Sequence, residues 1–162
     1  MTRKRNMKII TKAIELIKKV EFVVLATADA AGKPNSAPKF VLKAEGLSVY
    51  LIDYSIGRTA ENIKLNPRVS LSFIEMDSLM GYRLNGSAHL VLSGDIYDNC
   101  MNELREKQVD LTSKRVIEGV RKDKTFKTYE LSLSADILIY KIDIEEGCVI
   151  ELSGEIEREN VL

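Results

Sequence analysis

Apolar residues recur at Ile9, Ile10, Ala13, Ile14, Ile17 and Val20 with lysines between them, a spacing near 3.6 that predicts an amphipathic helix over about 8–20. The period then changes. "EFVVLATADAAGKPNSAPKFVLKAEGLSVYLIDY" reads as three strands, separated by turn signals at Asp29-Ala-Ala-Gly32-Lys33 and Lys43-Ala-Glu-Gly46. A short helix follows from about Thr59 to Leu65 and stops at Asn66-Pro67, because proline disfavours helix at the residue before it. "RVSLSFIE" and "YRLNGSAHLVLSG" predict two more strands. From about Asp98 to Lys122 the pattern is helical again, with a break expected near Asp110-Leu-Thr112, where Asp110 or Thr112 would cap a second segment. "TYELSLSADILIYKIDIEEGCVIEL", rich in isoleucine, leucine and tyrosine, returns to strand.

Strands joined in tight hairpins, with one short crossover helix, do not fit a parallel doubly wound sheet. They predict a mainly β protein, an antiparallel barrel with helices plugging its ends. No period repeats and no boundary divides the chain, so 1–162 is expected to be one domain, with 1–7 and 155–162 flexible or used in contacts with another chain.

Composition narrows the function. The 24 lysines and arginines equal the 24 aspartates and glutamates, and this zero balance argues against non-specific nucleic-acid binding, which draws on a basic surplus. The start (Arg3, Lys4, Arg5, Lys8, Lys12) is basic and the end, from Asp143 to Glu159, acidic; both read as solvated faces. Lys12, Glu15, Lys18 and Lys19 interrupt what would be the apolar part of a signal peptide, and no uncharged run approaches the ~20 residues of a membrane span. Cys100 and Cys148 form no CxxC and are expected to be thiols in a reducing cytoplasm. His89, the one histidine, stands in a strand without a neighbouring carboxylate or thiol in sequence, so no metal site is expected.

The stretch most suggestive of chemistry is "DYSIGRTAENIKLNPRVSLSF", Asp53 to Phe73. Gly57 is expected to free the backbone for a sharp turn, Thr59 to cap the helix and Asn62 to sit in its first turn. A helix start presents unpaired amides and a partial positive charge, to which Arg58 adds a fork of donors suited to phosphate and Thr59 a neutral hydroxyl. A capped surface turn remains the plain alternative.

The chain from "FVVLATADAAGKP" through "NSAPKFVLKAEGLSVYLIDYSIGRTAENIKLNPRVSLSF" to "GYRLNGSAHLV" resembles the pyridoxamine 5'-phosphate oxidase-like family of FMN-binding split β-barrels. The order strand, Gly-Arg-Thr, helix, Asn-Pro-Arg-Val-Ser-Leu, strand carries the resemblance. It is also similar to the small FMN-binding proteins of that fold, in which a basic residue followed by threonine opens the same helix. The resemblance implies FMN with its phosphate at Arg58 and Thr59 and with Asn62 nearby. It implies that the flavin ring lies along Ser36 to Lys43, a stretch that includes Pro38, Lys39, Phe40 and Val41, facing the strand that ends at Ile52-Asp53. Pro38 cannot donate to a ladder, which suits a place where a ligand covers the backbone. Lys39 or Lys43 would set positive charge near the flavin's pyrimidine end, the alternative being a solvated strand face. Tyr82 is the implied contact from the partner subunit of a homodimer whose interface holds the flavin.

The departures from the oxidases are Pro38 for an arginine, Thr59 for a lysine, Gly81-Tyr82 for a glutamine-containing pair, and an end, "CVIELSGEIERENVL", without the arginine and histidine that grip pyridoxal phosphate. The resemblance implies FMN and the fold, and the departures argue against that oxidase activity. The expected function is a cytoplasmic homodimeric flavoprotein acting on a small molecule as an oxidoreductase or electron carrier, with no catalytic side chain assigned. The alternative is a non-catalytic binding or sensor module that holds haem, a deazaflavin or another ligand.

Overall fold

A computed structural model describes residues 8–54, 57–121 and 137–161, with 111–121 described as backbone only. The elements are helix α1 (Lys8–Ile17), strands β1 (Phe22–Ala28), β2 (Pro34–Glu45) and β3 (Ser48–Asp53), helix α2 (Arg58–Leu65), strands β4 (Arg68–Glu75) and β5 (Met80–Val91), helix α3 (Asp95–Arg121), and strands β6 (Leu138–Ile150) and β7 (Ile156–Asn160). All strand pairings are antiparallel. β3 pairs with both β2 and β6, so β1, β2, β3, β6, β5 and β4 close into a six-stranded barrel and β7 extends the sheet beyond β6. The fold is the mainly β antiparallel barrel with helices that the pattern predicts.

Alternation assigns the two faces of each strand. Val23, Leu25, Val41, Val49, Leu51, Leu71, Leu84, Tyr140 and Ile142 fill the interior, and α1 closes one end by burying Ile10, Ala13, Ile14 and Ile17. β2 and β3 are apolar on both faces, because a second cluster lies outside the barrel. There α3 buries Cys100 and Leu104 against Phe40, Leu42, Tyr50, Ile52 and Ile139. Two irregularities adjust the barrel: a register shift in β2 between Val41 and Lys43, and one in β5 between Asn85 and Gly86. Gly86 is required at the second, since a Cβ there would run into the Asp143 carbonyl of β6. The β2 shift is held from outside by Lys107 of α3, whose Nζ donates to the carbonyls of Val41 (2.9 Å) and Leu42 (2.7 Å). Burial lowers the Lys107 pKa, against the pull of Glu103 and Glu21.

Three local expectations are corrected. α3 runs unbroken through Asp110–Thr112, because neither a proline nor a glycine stands at or beside those three positions and modest helix propensity alone does not end a helix. α2 begins at Arg58, with Gly57 as its N-cap. Within 155–162, residues 156–160 form β7, in register with β6 from Ile150↔Ile156 to Glu146↔Asn160. Residues 1–7 and the predicted strand portion before Ile137 lie outside the described residues.

β7 also fixes α1. Glu159 Oε2 accepts the Ile10 backbone N–H at 2.9 Å, so a carboxylate 149 residues away satisfies one of the unpaired amides in the helix's first turn. Gly147 of β6 allows the helix to approach, since a Cβ there would press on Ile10. Replacing Glu159 with alanine is expected to cost about 1 kcal/mol, as a lost N-terminal cap does, while Glu159→Gln keeps most of the contact. Urea unfolding followed by far-ultraviolet circular dichroism measures both.

Candidate functional site

The residues around the start of α2 form one polar cluster, arranged differently from the expectation. Gly57 is extended (φ −157, ψ −165) and offers no side-chain cap; its carbonyl accepts the Ala60 N–H at 3.0 Å and the Glu61 N–H at 3.3 Å. The turn therefore does not depend on glycine's conformational freedom. Glycine instead leaves the helix start bare, and a Cβ there would meet nothing within 4 Å. Thr59 is not the cap. It is buried, and its hydroxyl oxygen accepts from Asn35 Nδ2 at 3.2 Å. Asn62 is buried too and donates to Thr27 Oγ1 at 3.0 Å, an oxygen that Asn35 Nδ2 also reaches at 3.4 Å. The chain Asn62–Thr27–Asn35–Thr59 thus locks α2 to the cross-strand pair Thr27↔Asn35 of β1 and β2.

Arg58 remains outside this network. Its side chain is exposed at the first helical position and forms no ion pair among the described residues. A bare helix start, an outward guanidinium and a rigid support beneath them make an arrangement suited to a phosphate-bearing ligand.

The neighbouring strand residues divide by face. On β2, Ser36 and Pro38 are exposed outward positions beside this cluster. Lys39 is not on a solvated face. Its Nζ lies 2.6 Å from Asp53 Oδ2 with the two side chains 7% and 5% exposed, and Tyr140 donates its hydroxyl to the same oxygen at 3.0 Å. Burial, together with the Asp53 charge and hydrogen bond, raises the Tyr140 pKa above the ordinary tyrosine range. Val41 points inward as well. Phe40 and Ile52 point outward but lie under α3.

Lys43 is bound to Glu103 of α3 (2.8 Å) and to Glu45 (2.9 Å), with its Nζ 5.2 Å from the centre of the Tyr50 ring. Burial pulls its pKa down, but the hydrogen bonds to Glu103 and Glu45 outweigh this and raise it. Tyr82 is 2% exposed inside the barrel, its ring stacked on Phe73 at 5.3 Å. Of the expected ring-facing side chains, then, the structure offers Ser36 and Pro38 on the open outer face. Lys39, Val41, Asp53 and Tyr82 face the interior, and Phe40, Ile52 and Lys43 are engaged with α3 or its edge.

Sequence reasoning missed Thr27, Asn35 and Tyr140. The available signal was polar side chains at inward strand positions, visible only once the register was known. His89 is 60% exposed, with Nε2 3.8 Å from Asp143 Oδ2 across the strand pair. Among the described residues, no group of three or more potential ligands gathers for a metal ion, and no helix is long and apolar enough to cross a membrane. Both thiols are buried, Cys100 under α3 and Cys148 in β6.

A six-stranded antiparallel barrel, plugged by helices and carrying a polar helix start at one end, is the split-barrel class. The family model described as pyridoxamine 5'-phosphate oxidase matches residues 10–132, so the chain belongs to that family. Solved structures share the fold. A protein from Clostridium acetobutylicum related to general stress protein 26 of B. subtilis is 17% identical, with 96% of each chain covered and a TM-score of 0.63. A pyridoxamine 5'-phosphate oxidase-related, FMN-binding protein from Nostoc punctiforme is 14% identical, with 100% of each chain covered and a TM-score of 0.54. HutZ, the haem storage protein of Vibrio cholerae, is 20% identical over 86% of this chain and 92% of that one, with a TM-score of 0.59. Among curated proteins none matches.

Proposed function

We propose that this chain is an FMN-binding flavoprotein of the cytoplasm, homodimeric with the flavin site at the interface, that exchanges electrons with a small molecule as an oxidoreductase or electron carrier. The observation that carries the reading is the outward Arg58 at the uncapped start of α2, set on the Asn62–Thr27–Asn35–Thr59 network. The donor set suits a phosphomonoester. Arg58 would hold the phosphate by paired charge-assisted hydrogen bonds, with the backbone amides of the first turn beside it. Thr59 and Asn62 would act beneath the site by fixing the helix rather than by touching the ligand. Ser36 and Pro38 would border the ring, Pro38 by presenting a backbone without a donor. FMN, when bound, supplies one- and two-electron chemistry, and the chain's part is to hold it, orient it and shield it from water. Lys39 and Lys43 contribute by shaping β2, since each is already paired within the chain.

HutZ keeps haem as the alternative ligand on grounds of fold alone. The absorption spectrum of the purified protein, before and after reconstitution with FMN, separates the readings. Flavin bands are expected. A Soret band after incubation with haemin, with no flavin retained, would replace this reading by the haem one.

A further inference from the structure

α1 leaves a groove of about 190 Å³ between itself and the ends of β5 and β6. Sites for drug-sized ligands usually measure about 300–1,000 Å³, so an occupant of this one would be small. Ile9, Met80 and Val149 give the groove apolar walls. Lys8 and Lys12, one turn apart on the same face of α1, bring two ammonium groups to it. Neither lysine forms an ion pair among the described residues, with Glu151, the one carboxylate lining the groove, or with any other acid. Lys12 Nζ lies 5.8 Å from the centre of the Tyr82 ring. The Tyr82 hydroxyl, with a smaller pull from Glu75, holds the Lys12 pKa above the ordinary lysine value, so the ammonium stays charged.

Tyr82 lines the same groove although its residue is only 2% exposed, and stacking on Phe73 at 5.3 Å fixes its ring. Among the described residues its hydroxyl proton has only the Met80 sulfur to go to, a weak acceptor at 3.9 Å. A buried donor so poorly satisfied gains from any oxygen acceptor brought into the groove.

We propose that this groove binds a small carboxylate with an apolar body, its two oxygens shared among the Tyr82 hydroxyl and the ammonium groups of Lys12 and Lys8, and its carbon chain lying against Ile9, Met80 and Val149. Hydrogen bonds from charged donors to a carboxylate are among the strong ones, and the apolar walls remove the chain from water. Glu151 sets the charge of the ligand. It offsets one of the two lysines, which leaves a place for one negative charge and disfavours a doubly charged phosphate. The site is independent of the flavin reading, because none of its lining residues belongs to α2 or to the Asn62–Thr27–Asn35–Thr59 network.

The test is calorimetric titration of the full chain with hexanoate, hexan-1-ol and inorganic phosphate. Hexanoate is expected to bind, the alcohol at least tenfold more weakly, and phosphate not at all over the same concentrations. Tyr82→Phe keeps the ring and removes the hydroxyl, and Lys12→Gln removes one cation. Each is expected to weaken hexanoate about tenfold, as the loss of one hydrogen bond to a charged group does, with unchanged far-ultraviolet circular dichroism. Lys12 is exposed, so its variant decides the matter even if Tyr82→Phe unfolds. Three results would overturn the site: no binding of hexanoate at millimolar concentration, equal binding of the alcohol, or a hexanoate affinity that the variants leave unmoved. Phosphate binding as tightly as hexanoate would refute the carboxylate class. FMN titrated into Lys12→Gln is expected to bind as it does to wild type, and a loss there would refute the separateness of the groove. If wild type binds no FMN, the flavin reading fails while the hexanoate titration still decides this one.

Discussion

Replacing Lys39 with methionine is expected to destabilise the fold by about 3–5 kcal/mol, because it leaves the Asp53 carboxylate inside the barrel without its cation. Domains of this size are typically stable by only about 5–15 kcal/mol, so the variant would lose roughly a fifth or more of its margin. Asp53→Asn is expected to be similarly harmful, since it strands Lys39 instead and weakens the acceptor for Tyr140. The contrast that identifies the cause is the apolar replacement of the whole group. Lys39→Met, Asp53→Leu and Tyr140→Phe together should recover most of the lost stability, because a buried ion pair is often worth no more than apolar residues of the same volume. Urea midpoints from far-ultraviolet circular dichroism suit a chain that has no tryptophan. A cost below about 1 kcal/mol for Lys39→Met would mean that the side chain reaches water, as surface pairs do.

That triad also marks where the sequence could be read and where it could not. Strand order, the two early turns and the end of α2 at Asn66-Pro67 are local signals, and the structure has them at those positions. The family follows from the order of "GRTAENIKLNPRVSLSF" and its neighbours, which local spacing also preserves. Side-chain direction on β2 was not legible. In "SAPKFVLKAEG", alternation suggests Phe40 and Leu42 inside and the lysines in water. In fact Lys39 is inside because Asp53 on β3 meets it, and Phe40 and Leu42 are outside because α3 covers them. When both faces of a strand are apolar, period-two alternation loses its phase, and the shift between Val41 and Lys43 removes what remains. Tyr82 differs for another reason: the resemblance implies a contact made across to the partner subunit at "GYRLNG", whereas the clean alternation of β5 turns Tyr82 into the barrel interior. β7 was missed because "IEREN" is charged on both sides of Arg158, and its pairing depends on β6 rather than on any pattern of its own.

Removing the Arg58 guanidinium is expected to weaken FMN binding by roughly ten- to a hundredfold, since a hydrogen bond to a charged group contributes about 1.5–3 kcal/mol and each 1.4 kcal/mol is tenfold. The folded chain should not notice the change, because Arg58 is exposed and forms no ion pair among the described residues. Thr59→Ala is expected to act differently from a direct ligand contact. Its hydroxyl accepts from Asn35 and is buried, so the loss would appear as roughly 1 kcal/mol of stability, with a smaller and indirect effect on affinity. Riboflavin separates the phosphate from the ring: it lacks the phosphate, so its weaker binding should barely respond to Arg58→Ala. Titrating both variants with FMN and riboflavin by flavin fluorescence gives four affinities. Phosphate capture predicts that Arg58→Ala changes FMN affinity alone, whereas a ring contact would weaken both ligands alike. If Arg58→Ala leaves FMN affinity intact, the start of α2 is an uncapped surface turn, and the flavin, if bound, is held elsewhere on the barrel.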